Sequence, residues 1–212
     1  MITVNVLTFN AIQTNTYLLS DETGECAIVD PACQTKAEQQ LLSDFIAKQS
    51  LKPVALWFTH LHFDHIYGAR YVIDNYNLTP MASASDLYLL DVNSRLMDMW
   101  GIDAPEQFAI TSFIDEESSL SFGNSRFRAL HIPGHSAGSL AFVSSDESVC
   151  ISGDALFRMS IGRTDIGGST EEDLIASIRT KIFALPDNTV IYPGHGPSTT
   201  VGYERHYNPY FL

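Results

Sequence analysis

His60-Leu61-His62-Phe63-Asp64-His65 places four potential metal ligands within six positions. Imidazole and carboxylate together suit Zn²⁺, Mn²⁺ or iron, whereas Mg²⁺ and Ca²⁺ prefer oxygen alone. His60 and His62 stand two apart, unlike the i, i+4 pair of a helical metal site, so a strand end or tight loop must turn both to one side. The preceding run Val54-Ala55-Leu56-Trp57-Phe58 is fully apolar and reads as a buried strand. The ligand cluster is then the exit loop of that strand, and its density reads as half of a two-metal centre.

Three more candidates share one context, an apolar run followed by glycine and then the ligand. His135 follows Leu130-His131-Ile132-Pro133-Gly134, Asp154 follows Val149-Cys150-Ile151-Ser152-Gly153, and His195 follows Val190-Ile191-Tyr192-Pro193-Gly194. Four strand ends thus offer ligands through short loops, which can converge at one edge of a packed sheet system. Each of the three is weak alone, since a glycine–aspartate pair commonly ends a strand as a plain turn. Jointly they put five of the seven histidines into ligand-like loops. His131 and His206 have no partner ligands nearby in the chain and are read as ordinary core or surface histidines.

The elements that must position these residues follow from hydrophobic pattern. Ile2–Phe9 and Thr16–Ser20 read as strands around the turn Asn10-Ala11-Ile12-Gln13, and Cys26–Val29 as a short buried strand closed by Asp30-Pro31. Leu41, Leu42, Phe45 and Ile46 give 36–49 helical spacing, and helical character resumes over 66–76. In the second half, Ser119–Phe122 and Arg126–Ile132 flank the hairpin signal Gly123-Asn124, with apolar strands at Leu140–Val143, Val149–Ile151 and Val190–Tyr192. Glu171–Phe183 reads as a helix capped by Thr170, and a short tail ends the chain. Residues 82–118 are the least regular. Asp86–Met97 reads as a helix with Leu87, Leu90 and Leu96 as its apolar positions, interrupted afterwards by Gly101, Pro105 and Asp115-Glu116-Glu117. The segment is read as a plain surface excursion in preference to a substrate-facing lid. Alternating sheet and helix first, then a strand-rich half, makes this an α/β chain, expected to form one domain over 1–212.

Composition narrows the classes further. Hydrophobic residues make up 45% and charged residues 17%, a globular balance, and the net charge of −13 excludes the basic footprint that nucleic acid or anionic lipid demands. The N-terminus has no positive n-region with an apolar core, and no apolar run reaches membrane-spanning length. Cys26, Cys33 and Cys150 are too few and scattered for a disulfide framework, so a cytoplasmic setting is expected. Nothing in the sequence fixes the oligomeric state.

The ordered motifs THLHFDH, PGHSAGS, SGDALF and PGHGP resemble the metallo-β-lactamase superfamily of αββα metallohydrolases. With GRTD at Gly162–Asp165 and GYERHYNP at the tail, the chain resembles the short bacterial members of the glyoxalase II (hydroxyacylglutathione hydrolase) branch. The resemblance implies a four-layer αββα sandwich. It implies that His60, His62 and His135 hold a first metal, that Asp64, His65 and His195 hold a second, and that Asp154 bridges them. Two divalent ions are implied, Zn²⁺ foremost, with iron or Mn²⁺ as alternatives. Paired ions lower the pKa of water from ~16 to about 7 and so supply a hydroxide that cleaves a small hydroxyacyl thioester, with Asp64 orienting it. Arg163 is a candidate for steering an anionic substrate, against the blander reading of a salt bridge to Asp165.

Other readings compete. The persulfide dioxygenase branch shares the GRTD segment but uses one iron, which would correspond to His60, His135 and Asp154. β-Lactamases of the superfamily generally lack the bridging carboxylate, its nucleases carry a clamp domain, and flavodiiron reductases place a glutamate where His62 stands. A non-catalytic metal-binding module is disfavoured by the complete ligand set. The longer glyoxalase II enzymes add a helical domain that holds glutathione, whereas 17 residues follow His195 here.

Overall fold

The computed structural model describes residues 1–116, 118–165 and 170–212; Glu117, the last of the acidic run noted above, lies outside the described residues. Two six-stranded sheets face one another. The first runs β1 (Thr3–Phe9), β2 (Thr14–Ser20), β3 (Glu25–Val29), β4 (Lys52–Trp57), β5 (Pro80–Ala82) and β6 (Ser112–Phe113) in that spatial order. The second contains β7 (Ser119–Phe122), β8 (Ser125–His131), β9 (Leu140–Ser144) and β10 (Val149–Gly153). A small separate hairpin, β11 (Leu156–Phe157) with β12 (Ser160–Ile161), precedes its remaining members β13 (Val190–Pro193) and β14 (Thr199–Thr200). The second sheet is ordered β14-β13-β10-β9-β8-β7.

Strand alternation sorts side chains into three apolar layers. Tyr17, Leu19, Ala27, Val29 and Trp57 of the first sheet pack on Leu120, Phe122, Phe127, Ala129, Phe142 and Ile151 of the second. Trp57 is the anchor, its ring centroid 5.7–6.1 Å from Phe122, Phe127 and Phe142. The intervening residues Leu18, Cys26, Ile28, Leu56 and Phe58 point the other way, onto α1 (Lys36–Lys48), α2 (Phe63–Ile66), α3 (Ala69–Tyr76) and α4 (Tyr88–Trp100). Ala141, Val143, Cys150 and Ile191 pack on α5 (Glu171–Ser177), the π-helical turn Ile178–Ile182 that continues it, and α6 (Val201–Tyr207). Helix, sheet, sheet and helix follow in that order, as the resemblance implied.

The sheets are also tied at the end remote from the ligand loops. Asp21, at the end of β2, accepts from Thr23 N and Oγ1, and from Asn124 N (2.8 Å) and Ser125 Oγ (2.8 Å) in the β7–β8 hairpin. Burial acts to raise its pKa, but these donors outweigh it and pull the carboxyl down to about 2. A depressed folded-state value contributes stability that is complete above the unfolded pKa and is lost as pH falls toward the folded one. Asp21→Asn is expected to lose about 1–3 kcal/mol at pH 7 by stranding several of these donors. Urea melts should show the gap between wild type and variant closing between pH ~4 and about 2; a gap independent of pH would refute the assignment.

Most expected elements are present, with shifts of a few residues. The exit loop is a correction: Asp64 and His65 sit on the single helical turn α2, so only His60 and His62 precede it, His62 as its extended N-cap. The Glu171–Phe183 helix is α-helical to Ser177 only, though Thr170 does form a capping box with Asp173. The tail after β13 folds into β14 and α6.

Candidate metal centre

Sheet topology brings the ligand loops together. β8 and β10 are both antiparallel to β9, and β10 is parallel to β13, so the C-terminal ends of β8, β10 and β13 share one edge. These ends deliver His135, Asp154 and His195. β4 of the facing sheet delivers His60 and His62 to the same edge, where Leu140 N donates to Thr59 O (2.8 Å) and Asn15 N to Gly194 O (2.7 Å) across the gap.

All seven expected residues meet there. His60, His62 and His135 form one group with ligand atoms mutually within 4.8 Å, and Asp64, His65 and His195 form another. Asp154 lies between them: its Oδ2 is 3.6 Å from His135 Nε2 and 3.4 Å from His195 Nε2, and its Oδ1 is 3.4 Å from His65 Nε2. His60, His62, Asp64, His65 and His135 are buried and His195 is partly exposed. His60 Nε2, His62 Nε2, His65 Nε2 and Asp154 Oδ1 are buried without a hydrogen-bond partner. Unpaired buried polar atoms carry a full desolvation cost, and a cluster of four at converging imidazoles and a carboxylate is the expected signature of cation donors. His62 Nδ1 also stands 2.8 Å from His135 Nε2. The donor set fits divalent metal ions.

A second ring of contacts aims the donors. His60 Nδ1 meets Thr59 Oγ1 (3.0 Å), His65 Nδ1 meets Asp30 Oδ2 (3.0 Å), His135 Nδ1 donates to Arg163 O (2.8 Å) and His195 Nδ1 to Ile12 O (3.1 Å). In each of these rings Nε2 is thereby left facing inward. Thr14 Oγ1 donates to Asp64 Oδ2 at 2.8 Å. Asp30 also lies within ligand distance of His60 and His65, yet its oxygens already accept from Thr59 N, Thr59 Oγ1 and His65, so it supports the site. Asp86, fully buried, ties the loops of the first group together by accepting from Leu61 N (3.3 Å), Ser136 Oγ (2.8 Å) and Gly138 N (2.6 Å). Asp30, Thr14 and Asp86 carried no sequence signal: each is an isolated polar residue whose partners are tens of positions away.

Electrostatics separate the groups. Burial, reinforced by the neighbouring imidazoles, holds His60 well below its ordinary pKa and His62 down to about 3, so both are neutral. For His65 and His195 burial also acts to lower the value, but the carboxylates prevail: Asp64 and Asp154 raise His65 well above the usual range, and both bring His195 up to about 10. Burial acts to raise Asp64 and Asp154, and the facing histidines keep both low and ionised. The three cysteines are free and buried, and burial pushes each thiol up to about 12, which makes them inert.

Arg163 borders the same cavity, but both Nε and Nη2 donate to Asp165 at 2.7 Å, so the guanidinium faces a partner of its own. Its carbonyl, holding His135, is what it gives the site. The reading of 82–118 as a surface excursion is overturned: α4 lays Leu89, Val92 and Leu96 over the metal-facing cavity.

A family model for the metallo-beta-lactamase superfamily matches residues 10–195. The chain belongs to that superfamily. Among relatives of this superfamily member, the probable metallo-hydrolase YqgX of Bacillus subtilis is 35% identical over 94% of this chain and 92% of its own. Hydroxyacylglutathione hydrolase GloC of Haemophilus influenzae is 31% identical over 98% and 97%. Among solved structures, the BLEG-1 B3 metallo-beta-lactamase superposes with TM-score 0.91 at 33% identity, covering 99% of this chain and 100% of that one. TTHA1623 in a di-iron-bound form gives 0.84, also at 33% identity, over 98% and 100%. Among the described residues no helix is long and apolar enough to cross a membrane.

Proposed function

We propose that this superfamily member is a two-metal hydrolase of small hydroxyacyl thioesters, the bond type of S-lactoylglutathione, acting in the cytoplasm. The observation that carries the reading is Asp154, an ionised carboxylate with an unpartnered buried oxygen, set between two groups of three donors. We assign His60, His62 and His135 to one ion, Asp64, His65 and His195 to the other, and Asp154 to both. Zn²⁺ is the first choice; the di-iron form of TTHA1623 supports iron as an alternative, and Mn²⁺ suits the same donors. Divalent ions bound there lower the pKa of water from ~16 to about 7 and polarise a carbonyl.

The chain's own residues do the remaining work. The low pKa values of Asp64 and Asp154 keep both from acting as acids, which a thioester tolerates because a thiolate leaves with little need of a proton. Asp64, tethered by Thr14 and beside His195 (3.3 Å), has a fixed oxygen with which to orient the attacking water. Leu89, Val92 and Leu96 exclude bulk solvent from the reacting carbonyl. His60, His65, His135 and His195 are held in donor geometry by the Nδ1 contacts described above.

Metal analysis of freshly isolated protein, with assays on S-lactoylglutathione, neutral lactoyl thioesters and a chromogenic cephalosporin, tests this. Two ions per chain and thioester turnover that chelation abolishes and metal restores are expected. One iron per chain with persulfide-dependent oxygen uptake would establish the dioxygenase instead, and preferential β-lactam cleavage would align the chain with BLEG-1.

A further inference from the structure

The cavity above the histidines has an apolar wall. Helix α4 contributes Leu89, Val92 and Leu96 to it, spaced by three and four residues, and Phe63 and Ile12 line the same cavity. Leu89 is buried, but Val92, Leu96 and Phe63 retain some exposure and Ile12 is 50% exposed, so this surface is open to a ligand. Among the described lining residues outside the candidate ligands the one lysine or arginine is Arg163, and Asp165 already occupies its fork. The undescribed positions hold no lysine or arginine. Arg95, also on α4, is exposed and lies outside the lining. A second cleft between α4 and the 105–108 segment shares Asn93 with this cavity, and its charged lining residues are the acidic Asp91 and Glu106.

We propose that this wall selects thioesters whose thiol half is apolar and uncharged, and that it discriminates against glutathione, which carries two carboxylates on that half. The proposal rests on the hydrolase reading above. A carboxylate laid against Val92 and Leu96 loses water and gains no donor. Taking Arg163 from Asp165 exchanges one exposed ion pair for another, with little net gain. An apolar thiol instead removes its own surface and the wall's from water together. The chain would then differ in carrier from the Haemophilus relative whose name specifies glutathione.

The holoenzyme is assayed on two lactoyl thioesters with alkyl thiols, S-lactoylglutathione and the lactoyl ester of benzyl mercaptan. The benzyl ester is expected to have the higher kcat/KM by roughly tenfold or more. Val92→Lys and Leu96→Arg should each shift the ratio toward the glutathione ester by a similar factor. Binding of two inert thioethers to wild-type protein, S-(2-hydroxypropyl)glutathione and benzyl 2-hydroxypropyl sulfide, reads the same preference without turnover or substitution. Equal or tighter binding of the glutathione thioether, or equal or faster turnover of its ester, overturns the proposal while leaving the hydrolase reading intact. Failure to cleave either ester with the benzyl thioether still bound more tightly sinks the hydrolase reading and upholds the wall's selectivity.

Discussion

Asp154→Ala protein is expected to lose thioester turnover by roughly 10³-fold or more, since the several kcal/mol that metal ions contribute to stabilising a transition state go with them. The reason is position. Asp154 is the residue within 3.4–3.6 Å of ligand nitrogens in both groups, reaching His65 and His195 on one side and His135 on the other. Its loss leaves the His60–His62–His135 group without an anionic donor, and leaves Asp64 as the one carboxylate within 3.4 Å of both His65 and His195, with Asp30 behind His65. Metal content should therefore fall from two ions per chain to one or fewer, read by elemental analysis beside circular dichroism that shows the sheets intact. Asp154→Asn keeps the shape without the charge and should fail almost as badly. Either variant retaining both ions and activity within tenfold of wild type would show that the two groups do not share a carboxylate.

The candidate ligand set was legible because its members stand next to features that sequence displays well. Each follows an apolar strand, and four of the seven lie within six residues. Their supports were not legible. Asp30 reads as the turn that closes β3, and only tertiary contact shows it receiving Thr59 and His65; its φ of +51° is equally invisible in the chain. Helix α4 defeated the reading for another reason. With Leu87, Leu89, Leu90, Val92, Leu96, Met97 and Met99 the segment is apolar on nearly every face, so periodicity shows a helix without showing which side is covered. Leu87 and Leu90 pack against the core layer under the first sheet, Leu89 is buried in that layer and also borders the cavity, and Val92 and Leu96 line the cavity beside it. The strands β5, β6, β11, β12 and β14, two or three residues each, are too short to show any period. Helix α6, with seven residues, starts Val201-Gly202 and offers less than two full turns of pattern.

A single methyl group at position 194 should disable the centre nearly as well as losing a ligand. Gly194 has no left-handed backbone that calls for glycine. What calls for it is space: a Cβ there would stand 2.0 Å from Asp154 Oδ1 and 2.7 Å from His65 Cε1. The strand cannot retreat, because Gly194 N donates to Gly153 O (2.8 Å), Gly194 O accepts from Asn15 N (2.7 Å), and Pro193 O accepts from Tyr17 Oη (2.6 Å). The carboxylate must then swing away from the position between the two groups, and a displacement of about 1 Å at a reacting centre costs on the order of 10²-fold in rate. Gly194→Ala is accordingly expected to bind less than two ions per chain and to lose activity by that order. Gly196→Ala is the matched comparison. Gly196 has φ +74° and open space around its would-be Cβ, so alanine there costs about 1–2 kcal/mol of backbone strain while the metals stay bound. Equal metal content in the two variants, or a Gly194→Ala protein as active as wild type, would show that Asp154 has room to move and that its placement is not what holds the centre together.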